Sequence, residues 1–129
     1  MTITPVKDMV AAATAKVETI PVAEAQARMN DDVFQLVDIR DPRELAREGR
    51  IPGAFHAPRG MLEFWVDPAS PYHKDIFASG KKLVFFCASA WRSALSVETL
   101  NAMGLENEAQ LEGGFGAWRK AGAPIDKDE

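Results

Sequence analysis

Cysteine occurs once in this chain, at Cys87, which excludes an intramolecular disulfide and any cysteine-based metal cluster. Such usage fits a reducing cytosol. Histidine is almost as scarce: His56 and His73 stand far apart without ligand-like partners, so no zinc or other metal site is expected. No apolar run approaches the roughly 20 residues of a membrane span. No basic stretch followed by an apolar core opens the chain, so no secretory leader is read there. Positive charge is also short, with 15 Lys and Arg against 19 Asp and Glu and a net charge of −4. That balance argues against nucleic acid or an anionic membrane as partner. No repeat or low-complexity segment is visible, and no cofactor is expected. The expectation is a soluble, cytoplasmic protein, either monomer or homodimer.

What is present is ordinary globular composition, 47% apolar and 26% charged over 129 residues, enough for one domain with one core. The pattern predicts an N-terminal helical extension over 1–16, a main domain over 17–125 and a solvated charged tail over 126–129. Thr4-Pro5 reads as a cap followed by proline at the first helical position, leading into Val6 to Lys16. Val17 to Ile20 is a candidate edge strand, and a helix opens at Pro21. Val33 to Ile39 is a strong strand. Asp41-Pro42-Arg43-Glu44 then has the signature of a capping box, for a helix from Pro42 to about Glu48 stopped by Gly49. A short strand near Ala54 to Ala57 precedes an irregular stretch, Pro58 to Gly80. Lys82 to Phe86 is the second strong strand, and an apolar stripe from Ala94 to Met103 predicts a helix starting just after Arg92. Glu108 to Leu111, a Gly113-Gly114 turn and a helix over Phe115 to Lys120 complete the chain. Strand alternating with helix implies an α/β fold with a mostly parallel sheet covered on both faces.

In such sheets ligands bind outside the carboxyl ends of the strands. Asp38-Ile39-Arg40 and Cys87 both fall at such ends. Cys87 also precedes a helix, where unpaired N–H groups and the dipole favour negative charge. If the loop curls, the amides from Ala88 to Arg92 converge on the sulfur, in a cradle for a thiolate, a persulfide or a small oxyanion. Arg92 adds a cation with fork geometry, Ser89 and Ser93 add hydroxyls, and Trp91 is a candidate aromatic wall. The competing reading is an inert core cysteine, since free cysteine is among the most buried residue types.

The segments VDIRDPRELAREGRIPGA, FFCASAWRS and GGFGAW, in this order and spacing, resemble the single-domain rhodaneses over roughly 17–124. The resemblance implies a rhodanese fold, with a five-stranded sheet flanked by helices on both faces, and a sulfurtransferase activity through a persulfide on Cys87. It implies that Ala88, Ser89, Ala90, Trp91 and Arg92 form the substrate-binding loop, and that Asp38 and Arg40, with Ser93, support its shape. Glu44, Gly53, Gly113, Gly114 and Trp118 match positions that are chiefly structural. Arg50 stands where the family more often has histidine. The loop lacks the glycine many members carry, so any positive φ in it falls elsewhere or is absent.

The chemistry expected is nucleophilic catalysis in two half-reactions. Sulfur passes from a small sulfur-containing anion such as thiosulfate to Cys87, then to cyanide or a thiol, protein thiols included. With no second cysteine, the acceptor thiol must come from outside. Arg59 is a candidate second cation from the irregular stretch. One rival is a phosphatase or arsenate reductase of related type, although only four residues separate Cys87 from Arg92, one fewer than those enzymes have. The other rival is a non-catalytic binding or sensing module, in which Cys87 is buried and slow to alkylate.

Overall fold

The computed structural model describes residues 1–127; Asp128 and Glu129 of the charged tail lie outside the described residues. The elements are α1 (Val6–Lys16), β1 (Thr19–Ile20), α2 (Val22–Arg28), β2 (Phe34–Asp38), α3 (Pro42–Glu48), β3 (Phe55–His56), α4 (Leu62–Val66), β4 (Lys82–Phe86), α5 (Trp91–Met103), β5 (Glu108–Leu111) and α6 (Gly114–Lys120). Short 3-10 turns at Arg59–Met61 and Asp75–Ala78 complete the irregular stretch between β3 and β4. No helix among the described residues is long and apolar enough to cross a membrane.

The five strands form one sheet in the order β1-β5-β4-β2-β3, and every neighbouring pair runs parallel. The expected parallel α/β sheet is therefore present, with β1 at the edge. The crossover from β2 to β3 moves outward in one direction, and that from β4 to β5 in the other. The reversal falls between the carboxyl ends of β2 and β4. A crevice opens at such a reversal, because the two crossovers leave opposite faces of neighbouring strands uncovered at their ends.

Alternation along β4 splits the core into two layers. Leu83, Phe85 and Cys87 join Val37, Ile39, Leu62, Val97 and Leu100 on the face covered by α4 and α5. Val84 and Phe86 join Leu36, Ile51, Ala109, Phe115 and Trp118 on the face covered by α2 and α6. Cys87 thus projects toward α5, whereas Asp38 follows Leu36 on the α6 side. The two sequence signals share an edge but occupy opposite faces.

Two ends differ from expectation. Thr4 does not cap α1; Pro5 is the cap residue, without a side-chain hydrogen bond, and Val6 starts the helix. A proline at this place needs no donor, so the helix start is tolerated without a cap. α1 packs Val10 and Ala13 on Ala94 of α5, with Lys16 3.5 Å from Glu98. Asp126, expected to begin a solvated tail, exchanges two backbone hydrogen bonds of 2.8 Å with Arg50. The capping box of α3 forms as the sequence indicates. The Arg43 amide donates to Asp41 Oδ1 at 2.9 Å, and Glu44 Oε1 accepts from the Asp41 amide at 3.1 Å.

Candidate active site

Cys87 follows β4 directly and is 1% exposed. Its neighbours are set by the turn that follows. Ala90 adopts φ 69° and ψ 12°, the left-handed conformation, and α5 begins at Trp91 rather than after Arg92. This is where the loop without glycine takes its positive φ, on an alanine. The early start places Trp91, Arg92 and Ser93 in the first helical turn, whose amides have no intrahelical acceptor. Among the described residues, the amides of Ala88 to Ser93 have no hydrogen-bond acceptor. The loop carbonyls, by contrast, are tied down: the Phe115 amide donates to the Cys87 oxygen at 2.8 Å and the Gly116 amide to the Ala88 oxygen at 3.0 Å. The first turn of α6 therefore holds the loop from its carbonyl side and leaves its donors unspent.

A left-handed alanine costs about 1–2 kcal/mol relative to a right-handed one. Ala90→Gly should recover part of this, less the extra backbone entropy of glycine. The expected result is a small rise in urea midpoint, worth up to about 1 kcal/mol, with an unchanged slope. A fall in midpoint would show that the methyl group contributes more packing than the backbone strain removes.

The Cys87 sulfur donates weakly to Ser93 Oγ at 3.7 Å; Ser93 Oγ donates to Gln110 Oε1 at 2.8 Å, and Gln110 Nε2 to Thr19 Oγ1 at 3.2 Å. Ser93 and Gln110 are as buried as the thiol. Gln110 was not singled out in the sequence, although a glutamine inside a short strand of a doubly covered sheet is an anomaly that points to a partner.

Arg92 does not extend freely from the rim. Its Nη1 and Nη2 donate to the two Glu44 carboxylate oxygens at 2.7 and 3.0 Å. The pair holds the Arg92 pKa above its ordinary value, chiefly through the Glu44 hydrogen bonds and opposed by burial, with a smaller contribution from Cys87 itself. The Arg92 hydrogen bond is likewise what carries the Glu44 carboxyl below its usual range. Glu44 thus joins two parts of the chain: its own helix start, through the Asp41 amide, and the first turn of α5, through Arg92. Trp91 is half exposed at the start of α5, and Ser89 is exposed beside it.

Asp38 and Arg40 form a buried pair behind the loop, with Arg40 Nη2 2.8 Å from Asp38 Oδ2 and the Arg40 amide 3.0 Å from Oδ1. Arg40 Nη2 also donates to the Gly49 oxygen at 2.9 Å, closing the end of α3. The guanidinium lies 4.0 Å over the Phe115 ring. Phe115 is also the residue whose amide donates to the Cys87 carbonyl. Arg59 reaches the same edge by its backbone, whose amide donates to the Ile39 oxygen at 3.1 Å. Its guanidinium is engaged by Glu63 at 2.8 Å.

A rhodanese-like domain model matches residues 21–121. A cysteine at the switch point of a parallel sheet, followed by a run of unspent amides, thus has a family: the chain belongs to the rhodanese-like domain proteins. A solved protein of unknown function from Rhodopseudomonas palustris CGA009, described as a possible tyrosine phosphatase, is 52% identical and superposes with a TM-score of 0.92 over 98% of each chain. A protein of Allochromatium vinosum named sulfurtransferase is 33% identical over 95 residues, 74% of this chain and 79% of that protein. An uncharacterized protein of Synechocystis is 34% identical over 119 residues, 92% of this chain. This chain spans only 61% of the length of that Synechocystis relative.

Proposed function

We propose that this protein is a sulfurtransferase that carries sulfane sulfur on Cys87. The single observation that supports this reading is the run of unspent amides from Ala88 to Ser93 in the loop and first helical turn that follow Cys87 at the sheet's switch point. Unspent N–H dipoles near a sulfur favour a thiolate and, after transfer, a persulfide anion whose outer sulfur needs the same donors. In the first half-reaction the thiolate attacks the outer sulfur of a donor such as thiosulfate. The donor's S–S bond breaks and sulfite leaves with the bonding electrons. In the second, cyanide or an external thiolate attacks the outer sulfur of the persulfide, and Cys87 leaves as thiolate. Ping-pong kinetics follow from this order. The Allochromatium relative named sulfurtransferase supports the same assignment.

The possible phosphatase description of the Rhodopseudomonas protein supplies the second reading. A phosphate ester needs the arginine fork for two of its oxygens. Here that fork is filled by Glu44, and only four residues lie between Cys87 and Arg92. Both features favour a sulfur atom over a tetrahedral oxyanion. Burial of Cys87 also fits a non-catalytic module, and reactivity separates the two.

The deciding experiment is intact-mass spectrometry of the reduced protein after thiosulfate, beside Cys87→Ser. The expected result is a gain of one sulfur atom, absent in the variant and lost on adding cyanide. No gain, together with a Cys87 slow toward iodoacetamide, sinks the sulfurtransferase reading in favour of a binding module. No gain with a fast Cys87 redirects the assignment to phosphate esters.

A further inference from the structure

Every arginine that the sequence brings to the cysteine edge is matched by its own carboxylate. Arg40 is paired with Asp38 at 2.8 Å, Arg43 with Asp41 at 3.0 Å, Arg59 with Glu63 at 2.8 Å and Arg92 with Glu44 at 2.7 Å. The edge is therefore balanced in charge, pair by pair, although its composition suggests a cationic pocket. Glu44 is the member that matters most, because its partner Arg92 stands in the first turn of the helix that follows the Cys87 loop. Its carboxylate is itself fixed by the Asp41 amide and lies in the field of both Arg92 and Arg40. A donor that claims the Arg92 fork must displace a carboxylate anchored from its own helix start. A donor that uses only the loop amides need not.

We propose that Glu44 sets the charge of the donor: with the Arg92 fork occupied, the site takes sulfane-sulfur donors bearing a single negative charge in preference to dianions such as thiosulfate. This rests on the sulfurtransferase reading and narrows its donor class. Glu44 is a positioning residue in this scheme, acting through Arg92. Neutral dipoles solvate one negative charge on a terminal sulfur without a counter-ion, whereas a second charge next to the Glu44 carboxylate is repelled.

Methanethiosulfonate and thiosulfate form a matched pair of probes, similar in size and differing by one charge. With the first, Cys87 takes the terminal sulfur and methanesulfinate leaves; with the second, sulfite leaves. The protein, with cyanide as acceptor, should prefer methanethiosulfonate by about tenfold or more in kcat/KM. Glu44→Gln should cut that preference by about fivefold or more, mainly through a lower KM for thiosulfate. The same preference in both proteins overturns the proposal. A second measurement needs neither turnover nor a variant: the rate ratio of Cys87 alkylation by anionic iodoacetate and neutral iodoacetamide. In the wild-type protein that ratio should lie within about threefold of its value for 2-mercaptoethanol, whereas a free Arg92 cation would raise it by about tenfold. A raised wild-type ratio therefore also overturns the proposal. If neither donor adds sulfur while the alkylation ratio stays low, the sulfurtransferase reading fails, and the donor preference falls with it.

Discussion

Asp38→Ala should remove about 3–5 kcal/mol of stability, the largest loss expected from any single side chain here. The arithmetic follows from what is left behind. Asp38 supplies the acceptors for the Arg40 amide, for Nε at 3.0 Å and for Nη2 at 2.8 Å. Without it, a guanidinium that is 0% exposed keeps the Gly49 oxygen and the faces of Phe115 and Phe86 as partners, none of them a carboxylate. Its Nη1 has no hydrogen-bond partner among the described residues even with Asp38 in place. An uncompensated buried charge is the costly outcome, whereas loss of the pair as a whole need not be. A double substitution, Asp38→Leu with Arg40→Met, should therefore recover most of the loss. Urea denaturation of the three proteins checks this. A double variant no more stable than Asp38→Ala would mean that the hydrogen bonds to the Arg40 amide and the Gly49 carbonyl matter more than the buried charge. For a domain of ordinary stability, around 5–15 kcal/mol, the single substitution should leave a measurable unfolded fraction on mild heating.

The reason so much of the fold is legible in the sequence is that its strongest signals are local. The stretch Pro42 to Glu48 carries its own cap, its own proline and its own stop at Gly49, whose φ is 90°. The Lys82–Phe86 strand is a run of apolar residues between a glycine turn and the cysteine loop, and its bounds agree with expectation. α5 starts two residues before the position its apolar stripe predicts, because nothing local announces a left-handed alanine. That conformation is imposed from outside, by α6 amides holding the carbonyls of Cys87 and Ala88. The same limit applies to the site. Cys87, Arg92, Asp38 and Arg40 could be named from their positions at strand ends. The partner of Arg92 could not, because Glu44 already had a complete local explanation as the end of a capping box. Its pairing with Arg92 spans 48 positions in sequence, and a residue with one sufficient role gives no sign of a second. Gln110 is the opposite case: its polarity inside a strand signals a partner without saying which.

Gly114→Ala should uncouple the cysteine loop from an otherwise folded protein. A Cβ added at Gly114 would lie 2.5 Å from the Cys87 oxygen and 3.0 Å from both the carbon and the oxygen of Ala88. All three are backbone atoms of the loop that holds the sulfur, so no side chain can swing aside to admit the methyl group. Gly114 also has φ 63°, which disfavours alanine independently of space. The backbone penalty can be measured apart from the clash. Gly122 has φ 74° with nothing within 4 Å of its added Cβ, so Gly122→Ala carries the conformational cost alone, about 1–2 kcal/mol. Any additional loss in Gly114→Ala reports the displacement of the loop, expected to be about 1–3 kcal/mol for overpacking. The functional effect should be disproportionate. Moving the sulfur by about 1 Å relative to its donors is enough to cost roughly 100-fold in rate. Gly122→Ala should leave transfer unchanged, because its carbon touches nothing in the site. Gly116→Ala, whose Cβ would stand 3.2 Å from the Ala88 oxygen at an ordinary φ, should fall between the two. The rates of persulfide formation and of iodoacetamide alkylation at Cys87 would be followed across the three variants. If Gly114→Ala matched Gly122→Ala in both, the α6 turn would not be what aims the loop, and the unspent amides would owe their arrangement to α5 alone.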